Sequence, residues 1–126
     1  MIYRRLNINL TQYCYYNMFR NCTSLTSAPV LPATKLADEC YHGMFYGCTK
    51  LSTVTMLALD SEFTSKPDCV YDWLDDAGID ASSRTLKVQD AAAYNALISN
   101  TYYLPNNWKI GYTNTTVLNK DGDVIK

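Results

Sequence analysis

The chain has 126 residues, of which 48% are apolar and 18% are charged, and its formal net charge is −1. This length suits one compact domain, and the composition is that of a folded chain rather than a disordered one. The lack of a basic surplus argues against nucleic-acid binding, because proteins that bind phosphate backbones carry clustered lysine and arginine.

The first ten residues carry two predictions. Arg4 and Arg5 are basic, but no apolar stretch follows them, so no signal peptide is visible. We therefore expect either a piece of an exported protein or a chain that is made and used without export. Apolar and polar residues alternate towards Leu10, which predicts a half-buried strand over residues 2–10.

A pattern of the form Cys-Tyr-x-x-Met-Phe-x-x-Cys-Thr-x-Leu occurs twice, and every matched position is displaced by 26 residues. A fixed period of about 20–50 residues is typical of stacked repeat architectures. We expect the shared apolar positions to form the core of the stack. These positions are Cys14, Met18, Phe19, Cys22 and Leu25 in the first copy, and Cys40, Met44, Phe45, Cys48 and Leu51 in the second.

Each copy reads as a short helix followed by a short strand. Apolar residues at spacings of four and eight predict helices over residues 14–22 and 35–48. Strands are predicted at residues 25–31 and 51–59, the first of them bounded by prolines, which belong at strand ends or edges.

A third, degraded copy begins at Cys69, three residues later than the period requires. Trp73 replaces the methionine, Leu74 the phenylalanine and Ala77 the second cysteine, and residues 62–68 are expected to absorb the insertion. Five aspartates between positions 68 and 80 predict a solvated face, which the last member of a stack needs.

The C-terminal third has ordinary strand and helix signals. Asp90 is a plausible N-cap before an alanine-rich stretch, and Asp121-Gly122 is a strong hairpin turn signal. The predicted elements are a strand at 85–88, a helix at 91–99, strands at 108–112 and 116–118, and a return strand at 123–125.

The five cysteines favour a packing role. Two cysteines of one copy lie eight residues apart, about 12 Å along a helix, which is too far for a disulfide if that segment is helical. Bonds between copies, Cys14 to Cys40 or Cys22 to Cys48, are possible in principle. The favoured interpretation is a ladder of small buried side chains, and the odd number of cysteines agrees with it.

No residue set predicts an active site, a cofactor or a metal. His42 is the only histidine and aligns with Tyr16, a position that varies between copies. There is no Cys-x-x-Cys zinc pattern, and the aspartates lack the spacing of a calcium loop. An enzyme is the third-ranked hypothesis, and a substrate-sized pocket with a strongly perturbed titratable group would revive it.

Binding is the remaining class of function. Tyr16, His42 and Tyr46 occupy variable positions and have the chemistry of contact residues, because aromatic side chains dominate interface energetics. Packing of each against the neighbouring copy is an equal alternative.

The repeated pattern, together with the stretch from Ala28 to Ala37 between its copies, resembles the BspA-type leucine-rich repeats of gut and oral bacteria. Residues 73–74 and 85–110 resemble the C-terminal endings of such proteins, whereas residues 112–126 depart from them. The resemblance implies an α/β repeat fold. Its expected form is a short leucine-rich-repeat solenoid of about three units with a strand–helix–hairpin C-terminal cap.

The resemblance also implies an organisation and a function. We expect repeats in residues 1–60, a degenerate third repeat in 61–82 and a capping region in 83–126, all in one continuous domain. The implied function is a non-enzymatic interaction or adhesion module of a bacterial cell-surface or secreted protein. Its partner would be a protein or glycan on a host or neighbouring cell, with no nucleic acid bound and no membrane insertion. The alternative is a tail or fibre component of a phage virion, which would assemble inside the cell without a leader.

Overall fold

The computed structural model describes residues 9–126, apart from the side chain of Pro67. The strand predicted for residues 2–10 therefore lies almost wholly outside the described residues. The described residues form a small α/β fold with three strands, two α-helices and two short 3-10 helices. The elements are β1 (Thr53–Met56), α1 (Asp60–Ser65), a 3-10 helix (Pro67–Val70), β2 (Arg84–Val88), α2 (Ala91–Ile98), a 3-10 helix (Asn106–Trp108) and β3 (Thr115–Leu118).

The three strands form one parallel sheet in the order β1-β2-β3. Leu86 of β2 lies opposite Val54 of β1 and Val117 of β3, and all three side chains are buried. Single parallel bridges from Ser27 and Leu31 to β1 continue the sheet towards the first copy of the repeat. Alternate residues of β2 are buried, as expected for a strand that turns one face to the core.

Several C-terminal predictions are confirmed. The strands predicted at 85–88 and 116–118 and the helix predicted at 91–99 correspond to β2, β3 and α2. The Asp90 side chain caps α2 by accepting a hydrogen bond from the Ala93 N–H at 2.9 Å. The predicted hairpin is present as well, because the Ile125 N–H donates to the Val117 carbonyl at 2.9 Å.

The strand predicted at residues 108–112 is wrong, because turns follow the 3-10 helix Asn106–Trp108. Trp108 is fully buried and its indole N–H donates to the Ala77 carbonyl at 3.0 Å. The Ile110 N–H donates to the Tyr94 hydroxyl at 2.9 Å rather than to a neighbouring strand. The N–H groups of Lys109 and Tyr112 close local turns onto the carbonyls of Asn106 and Lys109, so none of these hydrogen bonds is one between strands.

The helices predicted for the three copies of the repeat are also wrong. Residues 11–22, 37–48 and 66–77 are turn segments, runs in which every second N–H reaches back three residues. The third of them includes the 3-10 helix Pro67–Val70. The intervening N–H groups leave their own segment and donate to the next one. Tyr15 donates to the Cys40 carbonyl at 3.0 Å, and Phe45 donates to the Trp73 carbonyl at 2.9 Å. An α-helix would instead direct each N–H four residues back within the same segment.

A four-residue backbone period explains the error. One residue in four has a positive φ, and the matched residues Asn17, Gly43 and Asp72 are of the types that adopt this conformation most readily. At Gly43 a Cβ would also collide with the Asn17 side chain of the preceding segment. A spacing of four and eight residues keeps side chains on one side of these turns, just as it does on a helix, so the apolar pattern fitted both.

The core follows the stacked turn segments and the inner face of the sheet. Nine of the residues placed there from the sequence are buried: Phe19, Leu25, Cys40, Met44, Phe45, Cys48, Leu51, Trp73 and Leu74. The third segment is aligned as the sequence indicated, with Trp73 in the place of Met44.

Three residues predicted to be in the core lie on the surface instead: Cys14, Met18 and Cys22. They belong to the first turn segment, which covers the matched residues of the second segment but has no described segment packed on its own outer side. The prediction failed because it treated all copies as interior ones.

All five cysteines are free. Burial raises the pKa of Cys40 to about 12 and that of Cys48 to about 11, which keeps both thiols protonated at neutral pH. The Cys48 thiol donates to the Phe19 carbonyl at 3.0 Å, so it also joins two segments.

Helix α1 was missed, because the insertion before the third copy was expected only to absorb residues. Its Phe63 side chain packs into the core. Its Glu62 carboxylate accepts the Leu36 N–H at 2.8 Å and the Lys66 ammonium at 3.1 Å. The Glu62 carboxylate of the insertion thus binds the backbone at Leu36, directly before the second turn segment.

Glu62 should make stability fall in acid. Burial raises its pKa, but the Leu36 N–H and the Lys66 charge outweigh burial, and the pKa lies below its usual value. Because the pKa of Glu62 is lower in the folded state, its carboxylate stabilises the fold at neutral pH. This stabilisation is lost as the pH falls below about 4.5 and through the pKa of the folded state. The urea midpoint of Glu62→Gln should therefore decrease less than that of the wild type when the pH is lowered from 6 to 3. Identical pH profiles for the two proteins would contradict this role.

Candidate functional site

The three contact residues expected from the sequence all lie on turn segments. Tyr16 is 42% exposed, while His42 and Tyr46 are half-buried. The structure brings Tyr16 and His42 together, with ring centroids 4.8 Å apart. Tyr46 has a different neighbour, because the Arg20 guanidinium lies over its ring at 4.2 Å from the centroid, in the geometry of a cation–π contact.

Tyr16 and His42 are the first two members of an aromatic column, the stack formed by Tyr16, His42, Tyr71 and Tyr102. The His42 and Tyr71 centroids are 5.4 Å apart, and the Tyr71 and Tyr102 centroids are 4.8 Å apart. The first three rings occupy the same position in the three turn segments, so the hydrogen-bond register of the backbone aligns them. Tyr102 comes from the loop after α2 and extends the column by one ring.

The rings of the aromatic column are tilted to each other at two contacts and stacked at the third. The interplanar angles are 37° between Tyr16 and His42, 41° between His42 and Tyr71, and 19° between Tyr71 and Tyr102. Such contacts contribute about 0.5–1.5 kcal/mol per pair beyond burial. His42 and Tyr71 each lie between two rings of the column, so the surface that the column offers a partner belongs mainly to the exposed end rings, Tyr16 and Tyr102.

The charges around the aromatic column are mostly negative. His42 Nδ1 lies 3.5 Å from Glu39 Oε1. At the Tyr102 end there is a cavity of about 360 Å³, lined by Asp72, Asp75, Thr101, Tyr102, Pro105 and Asn106. Burial raises the pKa of Asp75, and the nearby carboxylates of Asp76 and Asp72 raise it further. A partner that reaches this end therefore meets carboxylates crowded together.

The cavity has the volume of a small-molecule site, so it is a place where the enzyme hypothesis can be examined. Its six lining residues include no histidine, lysine or cysteine. Within residues 9–126 no three His, Cys, Asp or Glu side chains are grouped closely enough to hold a metal ion. In the same part of the chain, no helix has the length and apolar character needed to cross a bilayer.

Sequence reasoning missed two members of the aromatic column. Tyr71 could have been predicted, because the alignment of the third copy matches it with Tyr16 and His42. Tyr102 carried no signal, because it lies outside the repeat and its position depends on the loop that follows α2. Tyr102 is nevertheless the most exposed ring of the column, at 53%.

Comparisons with protein-family models, with curated proteins and with solved structures find no match for this chain. The resemblance to BspA-type repeats therefore rests on the residues of the repeated pattern alone.

Proposed function

We propose that the chain is a non-enzymatic interaction module of a bacterial cell-surface or secreted protein, built as a short leucine-rich-repeat solenoid of the BspA type. The repeated pattern and its stacking in register support this architecture. In each step of the stack, backbone N–H groups of one turn segment donate to carbonyls of the next. A stack of this kind places the variable residues of successive copies in rows on its surface.

The aromatic column is the observation that carries the proposal. It joins three turn segments and the C-terminal region in one line, and both of its end rings, Tyr16 and Tyr102, are exposed. Exposed tyrosines are common at the centres of protein interfaces, because each combines a large apolar body with a hydroxyl. The partner is a protein or glycan on another cell.

The test compares binding by the wild-type chain and by the double variant Tyr16→Ser/Tyr102→Ser. Both tyrosines are exposed, so we expect the variant to fold, with a lower thermal midpoint because two ring contacts are lost. Binding to arrays of immobilised extracellular-matrix proteins and glycans should fall at least tenfold for every target that the wild type recognises. Tyr112→Ser is the matched control, because Tyr112 is an exposed tyrosine outside the column.

Equal binding by the double variant and the wild type would exclude the aromatic column as the contact surface. Turnover of a small substrate that is lost in Asp75→Asn but kept in the double variant would favour the enzyme hypothesis instead.

A further inference from the structure

The cavity at the Tyr102 end of the aromatic column has walls of two kinds, and its volume is about 360 Å³. Asp72 and Asp75 of the third turn segment supply two carboxylates, and Tyr102, from the loop after α2, supplies an aromatic ring. The lining is completed by three uncharged residues: Thr101, Pro105 and Asn106. A ligand in this cavity therefore meets negative charge together with an aromatic surface.

Backbone hydrogen bonds hold both walls of the cavity in place. The Asp72 N–H donates to the Tyr102 carbonyl at 2.9 Å, which joins the turn segment to the loop. The Asp75 carbonyl accepts the Gly47 N–H of the second turn segment at 2.9 Å. The Tyr102 N–H donates to the side-chain oxygen of Asn100 at 2.9 Å. The walls are thus formed before a ligand arrives, which lowers the entropic cost of binding.

The negative charge of this cavity is not balanced by a basic side chain. Neither Asp72 nor Asp75 forms an ion pair with any side chain within residues 9–126. Burial raises the pKa of Asp75, and Asp76 and Asp72 raise it further, because the carboxylates repel one another. A second cavity, of about 210 Å³, is also acidic, but its lining includes Lys66. Of the two cavities, the one at Tyr102 leaves charge for a ligand to neutralise.

The Tyr102 ring suits a cation as well. Its aromatic neighbour is Tyr71, at a centroid distance of 4.8 Å, and the Tyr102 side chain is 53% exposed. No lysine or arginine side chain within residues 9–126 lies over this ring. The face of an aromatic ring attracts cations, so the ring and the two carboxylates favour the same ligand. An organic cation can use both walls, because its apolar stem packs on the ring while its charge meets the carboxylates.

We propose that this cavity binds the ammonium or guanidinium group of a lysine or arginine side chain on a partner polypeptide. The carboxylates of Asp72 and Asp75 accept hydrogen bonds from the cation, and the Tyr102 ring contacts the cation or its stem. Binding removes the repulsion between the carboxylates. The inference rests on the proposed function for the source of the cation, a partner that contacts the aromatic column, whereas the chemistry of the cavity follows from its own residues.

The probe is the capped tripeptide acetyl-Gly-Lys-Gly-amide, titrated into the isotope-labelled chain and followed by NMR amide shifts. We expect saturable shifts at Asp72, Asp75 and Thr101, with a dissociation constant of about 1 mM or below. The same peptide with an acetylated lysine keeps the length and loses the charge, so it should bind at least tenfold more weakly. Absence of saturable shifts at millimolar peptide, or equal binding of the acetylated peptide, would overturn the proposal.

Asp72→Asn/Asp75→Asn should weaken binding of the lysine peptide by about tenfold or more, because both carboxylates are lost. The variant should fold, since asparagine at the matched position 17 has a φ of 54° against 55° at Asp72. Its urea midpoint should be unchanged or higher, because the repulsion around Asp75 is relieved. Asp121→Asn/Asp123→Asn is the matched control, since it removes the same charge from exposed sites in the C-terminal hairpin, and it should bind like the wild type. Equally weak binding by the control would mean that net charge attracts the peptide, and would overturn the proposal.

The array experiment separates this inference from the proposed function. Targets that are lost in Tyr16→Ser/Tyr102→Ser but kept in Asp72→Asn/Asp75→Asn would overturn the cavity as a contact and leave the proposed function standing. Binding of the lysine peptide without recognition of any array target would support the cavity and contradict the proposed function. Tighter binding of butylammonium than of the peptide would show that the main chain hinders entry, and would overturn the assignment to a polypeptide.

Discussion

Arg84→Met is expected to lower the free energy of unfolding by roughly 3–5 kcal/mol, because one buried carbonyl and three partly buried ones would lose a donor at once. Arg84 is only 6% exposed. Its guanidinium donates to the carbonyls of Gly78, Ala81, Asn107 and Thr113 and to the Thr115 hydroxyl, at distances of 2.7–3.1 Å. One side chain therefore joins the end of the third turn segment to the loops that lead into β3.

The charge of Arg84 has no carboxylate partner within residues 9–126, and backbone carbonyls take the place of its hydration shell. Arg84→Lys should fall between the wild type and Arg84→Met, because an ammonium keeps the charge but cannot reproduce the planar fork of donors. Lys87→Met on the same strand is the matched control, and we expect it to change stability by less than about 1 kcal/mol. Urea unfolding measures all three. A loss below about 1 kcal/mol in Arg84→Met would mean that water replaces the guanidinium without difficulty.

The repeat could be found from the sequence, and its backbone conformation could not be found from apolar spacing. Cys14, Met18 and Cys22 are four residues apart, a spacing that suits both a helix and a run of turns with a period of four. The distinguishing signal lay in the polar positions, where Asn17 is matched by Gly43 and Asp72. These residue types share a preference for positive φ rather than any side-chain chemistry, and helix formers would be expected at such positions in a helix.

The candidate site was predictable only where it belongs to the repeat. Tyr16 and His42 could be paired because they share a position, and Tyr71 follows from the same alignment. Tyr102 joins them only because the loop after α2 returns to the third turn segment, where its carbonyl accepts the Asp72 N–H. Neither local pattern nor periodicity encodes a contact of this kind, since it depends on the tertiary path of the chain.

The first turn segment shows a second limit of the sequence, because its exposed Cys14, Met18 and Cys22 match buried residues of the second segment. Identical residues are core in one copy and surface in another, and the difference lies in what is stacked above them. Composition and periodicity describe a copy of the repeat, whereas exposure also depends on its place in the stack. The sequence therefore predicted the interior of the second turn segment correctly and that of the first one only in part.

Phe45→Ala should be the most damaging change within the turn segments, at about 3–5 kcal/mol. Phe45 is fully buried in the middle segment and stacks on Phe19 with centroids 5.7 Å apart and an interplanar angle of 5°. The Phe45 N–H donates to the Trp73 carbonyl of the third segment. The backbone therefore cannot move easily to fill the cavity that the missing ring would leave. Phe19→Ala is also a core truncation and should cost a similar amount.

The matched controls for Phe45→Ala are Met18→Ala and Cys22→Ala, both in the first turn segment and both exposed. Each should change the free energy of unfolding by no more than about 0.5 kcal/mol in urea titrations. A double-mutant cycle between Phe19 and Phe45 should show coupling, because the two rings share one contact. If Phe45→Ala costs less than about 2 kcal/mol, the backbone hydrogen bonds between segments hold the stack together without its aromatic interior.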